Sequence, residues 1–454
     1  MAKVSIVVPS LNVKDYIGKC LDSLIAQTLK DIEIICVDAF STDGTREIIK
    51  EYQQRDSRIQ LLDDTEKSSG YADNLGFDHA TGEYLGIVES DDYVKEDMME
   101  ILYSKAKANN LDYIKADYSM FVTIDGNEIT VNAFDKLSRN KMGIADKVIS
   151  PKDYPELLVL DSYMWKGIYK AEFIKNNNIR LNETKGAAYQ DNGFLHQTIC
   201  RAQRAMYIQD KFYQYRRDNE GASSYNIKGL SFMLQEYKFM DDFMYKNQEI
   251  TKPFMNYYYL KMFYQLRGQL DKTARLCEYS EDVRALMKEF HDLFAKGWEK
   301  GNIRLDEFAY DMYEALIFLD DYNFYFMSQN KRLKAQELIY RTYLQKLRDK
   351  ENIIIASFGE RGRSLYCFLK RNGVNNIVAI CDNNKELWGM DIVNERICSF
   401  EETCKMFPEA YYVISNARNN EQIKEQLLSL GIKEADIDIY KLEATAHFCT
   451  TLQF

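Results

Sequence analysis

The sequence has no stretch of about 18 consecutive apolar residues, the length that a membrane-spanning helix needs. Its N-terminus shows no positively charged segment followed by an apolar one, the pattern of a secretory signal peptide. We therefore expect a cytoplasmic protein with no integral membrane segment, whose only association with the inner face of the membrane would be peripheral.

Cysteines and histidines at the spacing of zinc ligands are also missing. The nine cysteines are scattered without any Cys-x-x-Cys pair, and no two of the four histidines have the spacing of zinc ligands. This cysteine pattern fits a reducing compartment and argues against a disulfide framework or a zinc site.

An excess of positive charge is absent as well. The formal net charge is -11, which argues against non-specific binding of nucleic acid. The chain has 454 residues, of which 46% are hydrophobic and 28% charged, so it is globular and long enough for two or three domains.

Alternating strand and helix patterns fill the first hundred residues. Apolar runs rich in β-branched residues predict strands at 4–8, 32–37, 59–62 and 84–88, and amphipathic segments between them predict helices. Such alternation is typical of an α/β fold with a parallel sheet and right-handed crossovers. Because ligands bind outside the carboxyl ends of the strands in such sheets, acids at those ends are candidate site residues.

Three acids follow the fourth predicted strand within four positions, namely Glu89, Asp91 and Asp92. Neighbouring carboxylates raise one another's pKa unless a cation compensates, and their hard oxygen atoms suit Mg²⁺ or Mn²⁺. The sequence therefore predicts a divalent metal site here. The alternative is that Asp91 or Asp92 caps a helix that begins near Glu96.

Four motifs of this first half occur in a recognisable order and spacing: Pro-Ser-Leu-Asn at 9–12, Val-Asp at 37–38, Asn-Leu-Gly at 74–76 and Glu-Ser-Asp-Asp at 89–92. Together they resemble family 2 glycosyltransferases with a GT-A fold. The resemblance implies a metal-dependent, inverting transfer of a sugar from a nucleotide-diphosphate donor, with a UDP-sugar favoured. The implied acceptor is a glycan, a lipid-linked sugar or a protein, in the biosynthesis of bacterial surface polysaccharide or glycan.

The resemblance also implies site residues. Asp91 and Asp92 would hold Mn²⁺ or Mg²⁺, and Asp191 resembles the general base of the family. The implied donor-nucleotide-binding residues are Pro9, Ser10, Asn12, Asp38, Asn74, Asp91, Arg216 and Arg217.

A single base is enough for an inverting transfer, because one carboxylate removes the acceptor hydroxyl's proton on the side opposite the leaving group. The alternative for Asp191 is an acid that the helix dipole stabilises in a first turn. For Arg216 and Arg217, the alternative to a phosphate contact is a salt bridge to Asp218 or simple exposure.

The sequence departs from the family pattern at Ala39, Phe40 and Asp73. Ala39 stands where the family has a carboxylate that would accept a hydrogen bond from the nucleotide's base. Phe40 either stacks on that base or fills the core. These departures motivate an alternative function, that of a catalytically degenerate nucleotide-sugar-binding or scaffold protein with the same fold.

Three domains are expected: a GT-A domain at 1–225, a helical linker or bundle at 226–350, and a Rossmann-like α/β domain at 351–454. Aromatic residues at helical spacing in the second region predict a core, with a homo-oligomer face or an acceptor wall as the alternative. Residues 123–150 are expected to form a hairpin or an acceptor-side loop.

The C-terminal loop at 359–362 reads Gly-x-x-Gly and lacks the full Gly-x-Gly-x-x-Gly pattern of dinucleotide-binding domains. Arg361 or Arg363 could contact a phosphate, and Asp382 follows the next strand. We expect a structural or acceptor-recognition role for this domain in preference to nucleotide binding.

Overall fold

The structure is a computed structural model, and it describes residues 2–134, 142–186, 188–219, 228–276, 280–305, 308, 311–416 and 418–441. Two compact units divide the chain. The first comprises Met1–Tyr118, Asp135–Gln214 and Asn219–Leu333, and the second comprises Ser119–Phe134, Tyr215–Asp218 and Lys334–Phe454.

The first unit is built on a mixed sheet with the strand order β3-β2-β1-β4-β8-β6-β9-β5. Strands β1 to β4 pair in parallel, whereas β8 is antiparallel to β4 and β6, and β5 is antiparallel to β9. The strands are β1 Val4–Ser10, β2 Ile32–Asp38, β3 Ile59–Asp63, β4 Tyr84–Ile87, β5 Tyr93–Val94, β6 Tyr113–Ile124, β8 Gly167–Lys170 and β9 Ala205–Arg216, of which β6 and β9 end in the second unit.

Helices cover the parallel part of this sheet and then form the region that follows β9. They are α1 Lys14–Ile25, α2 Thr45–Arg55, α3 Ser69–His79, α4 Met98–Asn109, α5 Leu157–Leu160, α6 Ala171–Asn176, α7 Gln190–Arg201, α8 Gly229–Lys246, α9 Gln248–Thr251, α10 Met255–Leu276, α11 Glu281–Glu299, α12 Met312–Asp320 and α13 Tyr322–Arg348, the last of which continues into the second unit.

The hydrophobic pattern explains these elements. Every residue of β1 and β2 is buried, as expected for parallel strands that are covered on both faces. Helix α1 buries Ile17, Cys20, Leu21 and Leu24, which recur at the spacing of one helical face. Helix α4 begins at Met98 with Asp97 at its N-cap, so the reading of Asp91 or Asp92 as its cap is wrong.

Aromatic side chains form the interior of the helical region, as their spacing predicts. The ring of Phe263, on α10, lies 5.9 Å from that of Phe294 and 6.0 Å from that of Tyr325. All three residues are buried, whereas Tyr313 on α12 is 71% exposed. Residues 220–227, which include Ser223 and Ser224, and residue 310 lie outside the described part of the chain.

The second unit contains a hairpin and a second, mostly parallel sheet with the strand order β12-β13-β11-β10-β14-β15. The hairpin is formed by the end of β6 and by β7 Asn127–Phe134, in agreement with the hairpin expected in 123–150, and residues 135–141 lie outside the described part. The sheet strands are β10 Ile353–Ala356, β11 Ile377–Cys381, β12 Asp391–Ile392, β13 Glu395–Cys398, β14 Tyr411–Ile414 and β15 Ile437–Ile439.

Three helices belong to this second sheet: α14 Glu360–Arg371, α15 Phe400–Met406 and α16 Asn420–Ser429. The hairpin shares a hydrophobic core with α13 and α14, in which Val122 and Val131 are buried together with Leu344 of α13 and Leu365 of α14. The unit is thus assembled from segments that lie far apart in sequence.

Candidate active site

The carboxyl ends of β1 and β2 place the first candidate residues side by side. Ser10 is the register partner of Asp38, and the Asp38 side chain is fully buried. Its Oδ2 atom accepts hydrogen bonds from the Ser41 backbone N–H (3.1 Å) and from Arg46 Nη1 (3.0 Å). Its Oδ1 atom is buried without a hydrogen-bond partner in the described structure. A buried acceptor of this kind is costly unless a ligand donates to it.

Asn12 ties the loop after β1 to the loop after β2. Its backbone has φ 52°, its N–H donates to Ser41 Oγ (2.9 Å), and its Oδ1 atom accepts from the Thr42 backbone N–H (2.9 Å). Pro9 lies in β1, where it is the register partner of Val37. Asn12 thus shapes the turn beside Asp38, while Pro9 and Ser10 form its buried base.

Phe40 follows Asp38 in this turn, with a φ of 56° and a side chain that is 46% exposed. The guanidinium carbon of Arg46 lies 5.6 Å from the centre of its ring, within reach of a cation–π contact. Of the two alternatives for Phe40, filling the core is therefore wrong, and its ring is open to a ligand.

The acids after β4 differ in their surroundings. Asp92 is buried and its Oδ2 atom accepts a hydrogen bond from the Tyr213 hydroxyl (2.8 Å), which itself accepts from the Glu89 backbone N–H (3.0 Å). Asp91 is half-buried and accepts from the side-chain amide of Asn219 at 2.8 Å. The Tyr213 hydroxyl therefore fixes the turn that presents Glu89 and Asp91.

Glu89 has a strongly perturbed carboxyl group. Burial raises its pKa to about 8, and the negative charges of Asp91 and Asp191 contribute in the same direction. The Asp73 carboxyl, on helix α3, is fully buried, and burial together with Glu89 and Asp191 raises its pKa as well. Both Asp73 oxygens lack a hydrogen-bond partner in the described structure. Four carboxyl groups from three parts of the chain, Asp73, Glu89 with Asp91, and Asp191, thus influence one another electrostatically.

Asn74, the residue next to Asp73, was expected to bind the donor. Its side chain is buried and clamps the segment before the loop at 182–188: Nδ2 donates to Leu181 O (3.0 Å) and Glu183 Oε1 (2.8 Å), and Oδ1 accepts from Leu181 N (3.0 Å). In this structure its polar atoms are engaged within the protein. Ala187 of the same loop lies outside the described residues.

Asp191 lies in the first turn of α7 and is half-buried. Burial raises the pKa of its carboxyl to about 6, against the opposing effect of the Lys261 ammonium. Lys261, on α10, is buried and donates from Nζ to the backbone oxygen of Asp161 (3.0 Å). A carboxylate with a pKa close to neutral, reachable from solvent, is suited to accept a proton.

The helices that follow the sheet hold the first turn of α7 in place. Glu236 of α8 accepts from the Gly193 N–H (2.8 Å) and from the Asn182 side chain (3.0 Å). A Cβ atom at position 193 would overlap Glu236 Oε1, so this contact requires glycine. Gln265 of α10 donates to Asn192 Oδ1 at 2.8 Å. These residues were not predicted from the sequence, although polar residues at 261, 265 and 269 form a helical stripe that is a detectable signal.

Arg216 and Arg217 belong to the second unit. The Arg216 guanidinium pairs with Asp218 (3.3 Å) and donates to Thr123 Oγ1 (3.1 Å), in agreement with the salt-bridge alternative. Arg217 donates to the Tyr215 hydroxyl at 2.7 Å. A phosphate-binding role for either arginine stays a prediction.

Carboxyl groups at the ends of parallel strands, together with a half-buried Asp in the first turn of α7, form the candidate ligand site of this α/β unit. The family comes from comparison. Residues 5–128 match the family model described as "Glycosyl transferase family 2".

Relatives agree with this match. The chain is 28% identical to the uncharacterized glycosyltransferase EpsJ of Bacillus subtilis over 255 residues, which is 56% of this chain and 70% of EpsJ. It is 28% identical to the glycosyltransferase GlyA of Streptococcus pneumoniae over 218 residues, which is 47% of this chain but only 30% of GlyA.

A solved structure, S. aureus TarS 1-349 in complex with UDP-GlcNAc, superposes with a TM-score of 0.51 at 17% identity, covering 75% of this chain and 92% of TarS 1-349. Residues 5–128 are therefore similar to family 2 glycosyltransferases, and the TarS superposition shows a GT-A-like fold. This confirms the resemblance and the predicted fold class, including the second sheet after the helical region. Within the described residues, no helix is both long and apolar enough to cross a membrane.

Proposed function

We propose that this protein is an inverting glycosyltransferase that transfers a sugar from a nucleoside-diphosphate donor to a hydroxyl acceptor in bacterial glycan biosynthesis. The observation that carries the proposal is the position of Asp191, half-buried in the first turn of α7 and close enough to Glu89 and Asp73 for its charge to raise their pKa values. Burial raises the pKa of Asp191 itself to about 6. It sits beside the turn after β4, where the donor diphosphate would bind.

The donor would be held at the ends of β1, β2 and β4. The buried Asp38 Oδ1 atom, which has no hydrogen-bond partner in the described structure, would accept a hydrogen bond from the nucleotide's base or ribose. The exposed ring of Phe40 would stack on the face of the base. Asp91, held by Asn219, would accept from a ribose hydroxyl. We propose a UDP-sugar first, because the TarS structure with the same fold was solved with UDP-GlcNAc.

The fold implies a divalent cation, and the residues present fit one. Among the described residues, no cluster of three or more His, Cys, Asp or Glu side chains has metal-binding geometry. Burial and the charges of Asp91 and Asp191 raise the pKa of the Glu89 carboxyl to about 8, and a bound cation would favour its ionised form. Glu89, Asp91 and Asp92 would hold Mn²⁺ or Mg²⁺ at the turn after β4. Such an ion, when bound, stabilises the negative charge that develops on the leaving diphosphate.

The transfer itself requires one proton acceptor. An acceptor hydroxyl loses its proton to an Asp191 carboxylate oxygen as the new C–O bond forms and the bond to the diphosphate breaks. The Asn192 side chain donates to Asp191 Oδ1 (3.2 Å), and the Lys261 charge favours the ionised form. Both groups therefore keep a carboxylate available in a partly buried site.

The test measures release of the nucleotide from UDP-, GDP-, CMP- and dTDP-sugars with Mn²⁺ or Mg²⁺ and a mixture of glycan acceptors. Asp191→Asn should lower turnover by about 10²–10⁴-fold, the usual contribution of a general base. The matched control is Asp153→Asn, an exposed acid in a short 3₁₀ helix of the same unit. Turnover of Asp191→Asn close to that of the wild type would refute the assigned role.

A second function has two departures from the family pattern in its favour. The fully buried Asp73, with both oxygens unpartnered, stands where the family pattern has an arginine, and Ala39 replaces an acid next to Asp38. A nucleotide-sugar-binding protein without turnover would bind UDP with the wild-type site intact and release no nucleotide from any donor.

A further inference from the structure

The second unit contains a cavity that the family match does not reach. The strand order of its sheet reverses at β10. Strand β11 pairs with β10 on one side, and β14 pairs with β10 on the other. The cavity, of about 170 Å³, lies outside the carboxyl ends of these strands. Ser357 follows β10, Asp382 follows β11, and Asn416 lies just beyond β14. Such a switch point is where open α/β sheets bind ligands.

Uncharged polar groups dominate the lining. Apart from Ser357, Asp382 and the apolar pair Phe400 and Ile423, every lining residue carries a side-chain amide: Asn383, Asn416, Asn419, Gln422 and Gln426. Amides donate and accept hydrogen bonds, as hydroxyl groups do.

No lining residue is basic. The two arginines of the neighbouring loop are used elsewhere in this unit: Arg361 donates to Tyr440 O (3.0 Å), and Arg363 donates to Thr130 O (2.7 Å). The phosphate contact predicted for Arg361 or Arg363 is therefore not supported in this cavity. A diphosphate here would meet the Asp382 carboxylate without a balancing cation, which disfavours a nucleotide or dinucleotide.

Part of the lining is held in position by internal hydrogen bonds. Asn416 Oδ1 accepts from the backbone N–H of Arg418 (2.9 Å) and Asn419 (3.0 Å), and its Nδ2 donates to Ser357 Oγ (3.2 Å). Asn383 and Gln426 exchange two amide hydrogen bonds, of 3.0 and 3.1 Å. Ser357 has a φ of 83°, a conformation that is unfavourable for serine and is found more often at ligand sites.

Two groups remain open to a ligand. The side chains of Asn419 and Gln422 are exposed and make no hydrogen bond in the described structure. The Asp382 oxygens each accept one backbone N–H, from Phe358 (2.6 Å) and Asn384 (2.7 Å), which leaves a second lone pair on each.

We propose that this cavity binds a single uncharged sugar unit. The amides and the Asp382 carboxylate match the hydroxyl groups of a sugar ring, and Phe400 and Ile423 match its apolar face. The cavity is smaller than the roughly 300–1,000 Å³ of pockets for drug-sized ligands, which suits one ring and excludes a dinucleotide. The proposal does not depend on glycosyltransferase activity in the first unit.

The test uses the full chain and saturation-transfer NMR with glucose, galactose, N-acetylglucosamine and rhamnose as separate probes. At least one sugar should bind, and Asn419→Ala combined with Gln422→Ala should weaken that binding by about tenfold through loss of its hydrogen bonds. Glu425→Ala, an exposed position on the same helix outside the lining, should leave binding unchanged.

Three results would overturn the proposal. One is the absence of saturation transfer to all four sugars. Another is transfer that the double variant leaves unchanged, since the sugar would then be bound at another site. The last is displacement of the sugar by NAD⁺ in the wild type but not in the double variant, which would assign the cavity to a dinucleotide.

Discussion

Glu236 Oε1 accepts a hydrogen bond from the backbone N–H of Gly193 at 2.8 Å, so a helix of the bundle holds the helix turn that carries Asp191. The same carboxyl group receives the Asn182 side chain, from the loop before that turn. The helical region therefore helps to position Asp191, the proposed general base.

Removing this contact should misplace Asp191. Glu236→Ala leaves the Gly193 N–H and the Asn182 amide without their acceptor, and we expect a loss of about 1–3 kcal/mol in the free energy of unfolding together with lower turnover. Glu236→Gln keeps one acceptor oxygen and replaces the other by an amide nitrogen that cannot accept, so it should lose less stability and turnover than Glu236→Ala. Urea unfolding and donor-release assays measure both effects.

Glu249→Ala, at an exposed position on α9, is the control. Equal activity of the Ala and Gln variants would contradict a positioning role.

The pH dependence of kcat/KM should report Asp191. Because its pKa is near 6, activity should fall as the pH drops through 6 and the carboxylate becomes protonated. Lys261→Met removes a positive charge that favours the carboxylate, so the midpoint of the acid limb should move to higher pH.

Steady-state kinetics between pH 5 and pH 8 measures this shift. Lys238→Met, at an exposed position on α8, is the control and should leave the midpoint in place. An acid limb that does not move in Lys261→Met would show that another group controls it.

Stability should decrease as the pH rises above about 4.5. Glu89 and Glu236 have ordinary pKa values near 4.5 and folded-state values near 8, so the folded protein binds more protons than the unfolded chain between these limits. Their protonation therefore favours folding below pH 4.5, and that contribution is lost as the pH rises through 8.

Urea unfolding at several pH values measures this slope, and Glu89→Gln, which cannot ionise, should flatten it. If Glu89 also helps to hold a cation, Mn²⁺ should raise the Tm of the wild type more at pH 8 than at pH 5, and less in Glu89→Gln. A wild-type slope that Glu89→Gln reproduces in full would contradict the assignment of this carboxyl group.

The exposed ring of Phe40 should contribute to nucleotide binding. Phe40→Ala removes little buried surface, so the fold should persist, whereas loss of stacking on a base should weaken UDP binding by about tenfold. Titration calorimetry with UDP measures the effect. Phe324→Ala, an exposed aromatic residue on α13, is the control. Unchanged UDP affinity in Phe40→Ala would rule out stacking.

Several features could be predicted from the sequence because their signals are local. The apolar runs of β1, β2 and β4 specify buried strands, and the polar residues directly after them must therefore lie at the end of the sheet. The acids at 89–92 and at 38 were found in this way. Asp191 is predicted as the general base only from the resemblance to the family. Its position at a helix N-terminus fits a purely structural role equally well.

Other features could not be predicted because they depend on contacts between distant segments. The Tyr213 hydroxyl that binds Asp92 is 121 residues away in sequence. Asp73, read from the sequence as a departure from a motif, becomes part of the carboxyl cluster only once α3 packs against the sheet. Residues 119–134 were grouped with the first domain, yet they share a core with α14, because a hairpin's partner is decided by packing and not by its own pattern.

The sequence by itself determined the class of fold and the strand ends at which ligands bind, because hydrophobic periodicity and turn residues act within a few positions. Only the tertiary structure decided the chemical state of the site. Burial and neighbouring charges shift the pKa of Glu89 and Asp191 toward neutrality. Lys261 and Glu236 reach the first turn of α7 from helices that lie 45 to 70 residues beyond Asp191 in the chain.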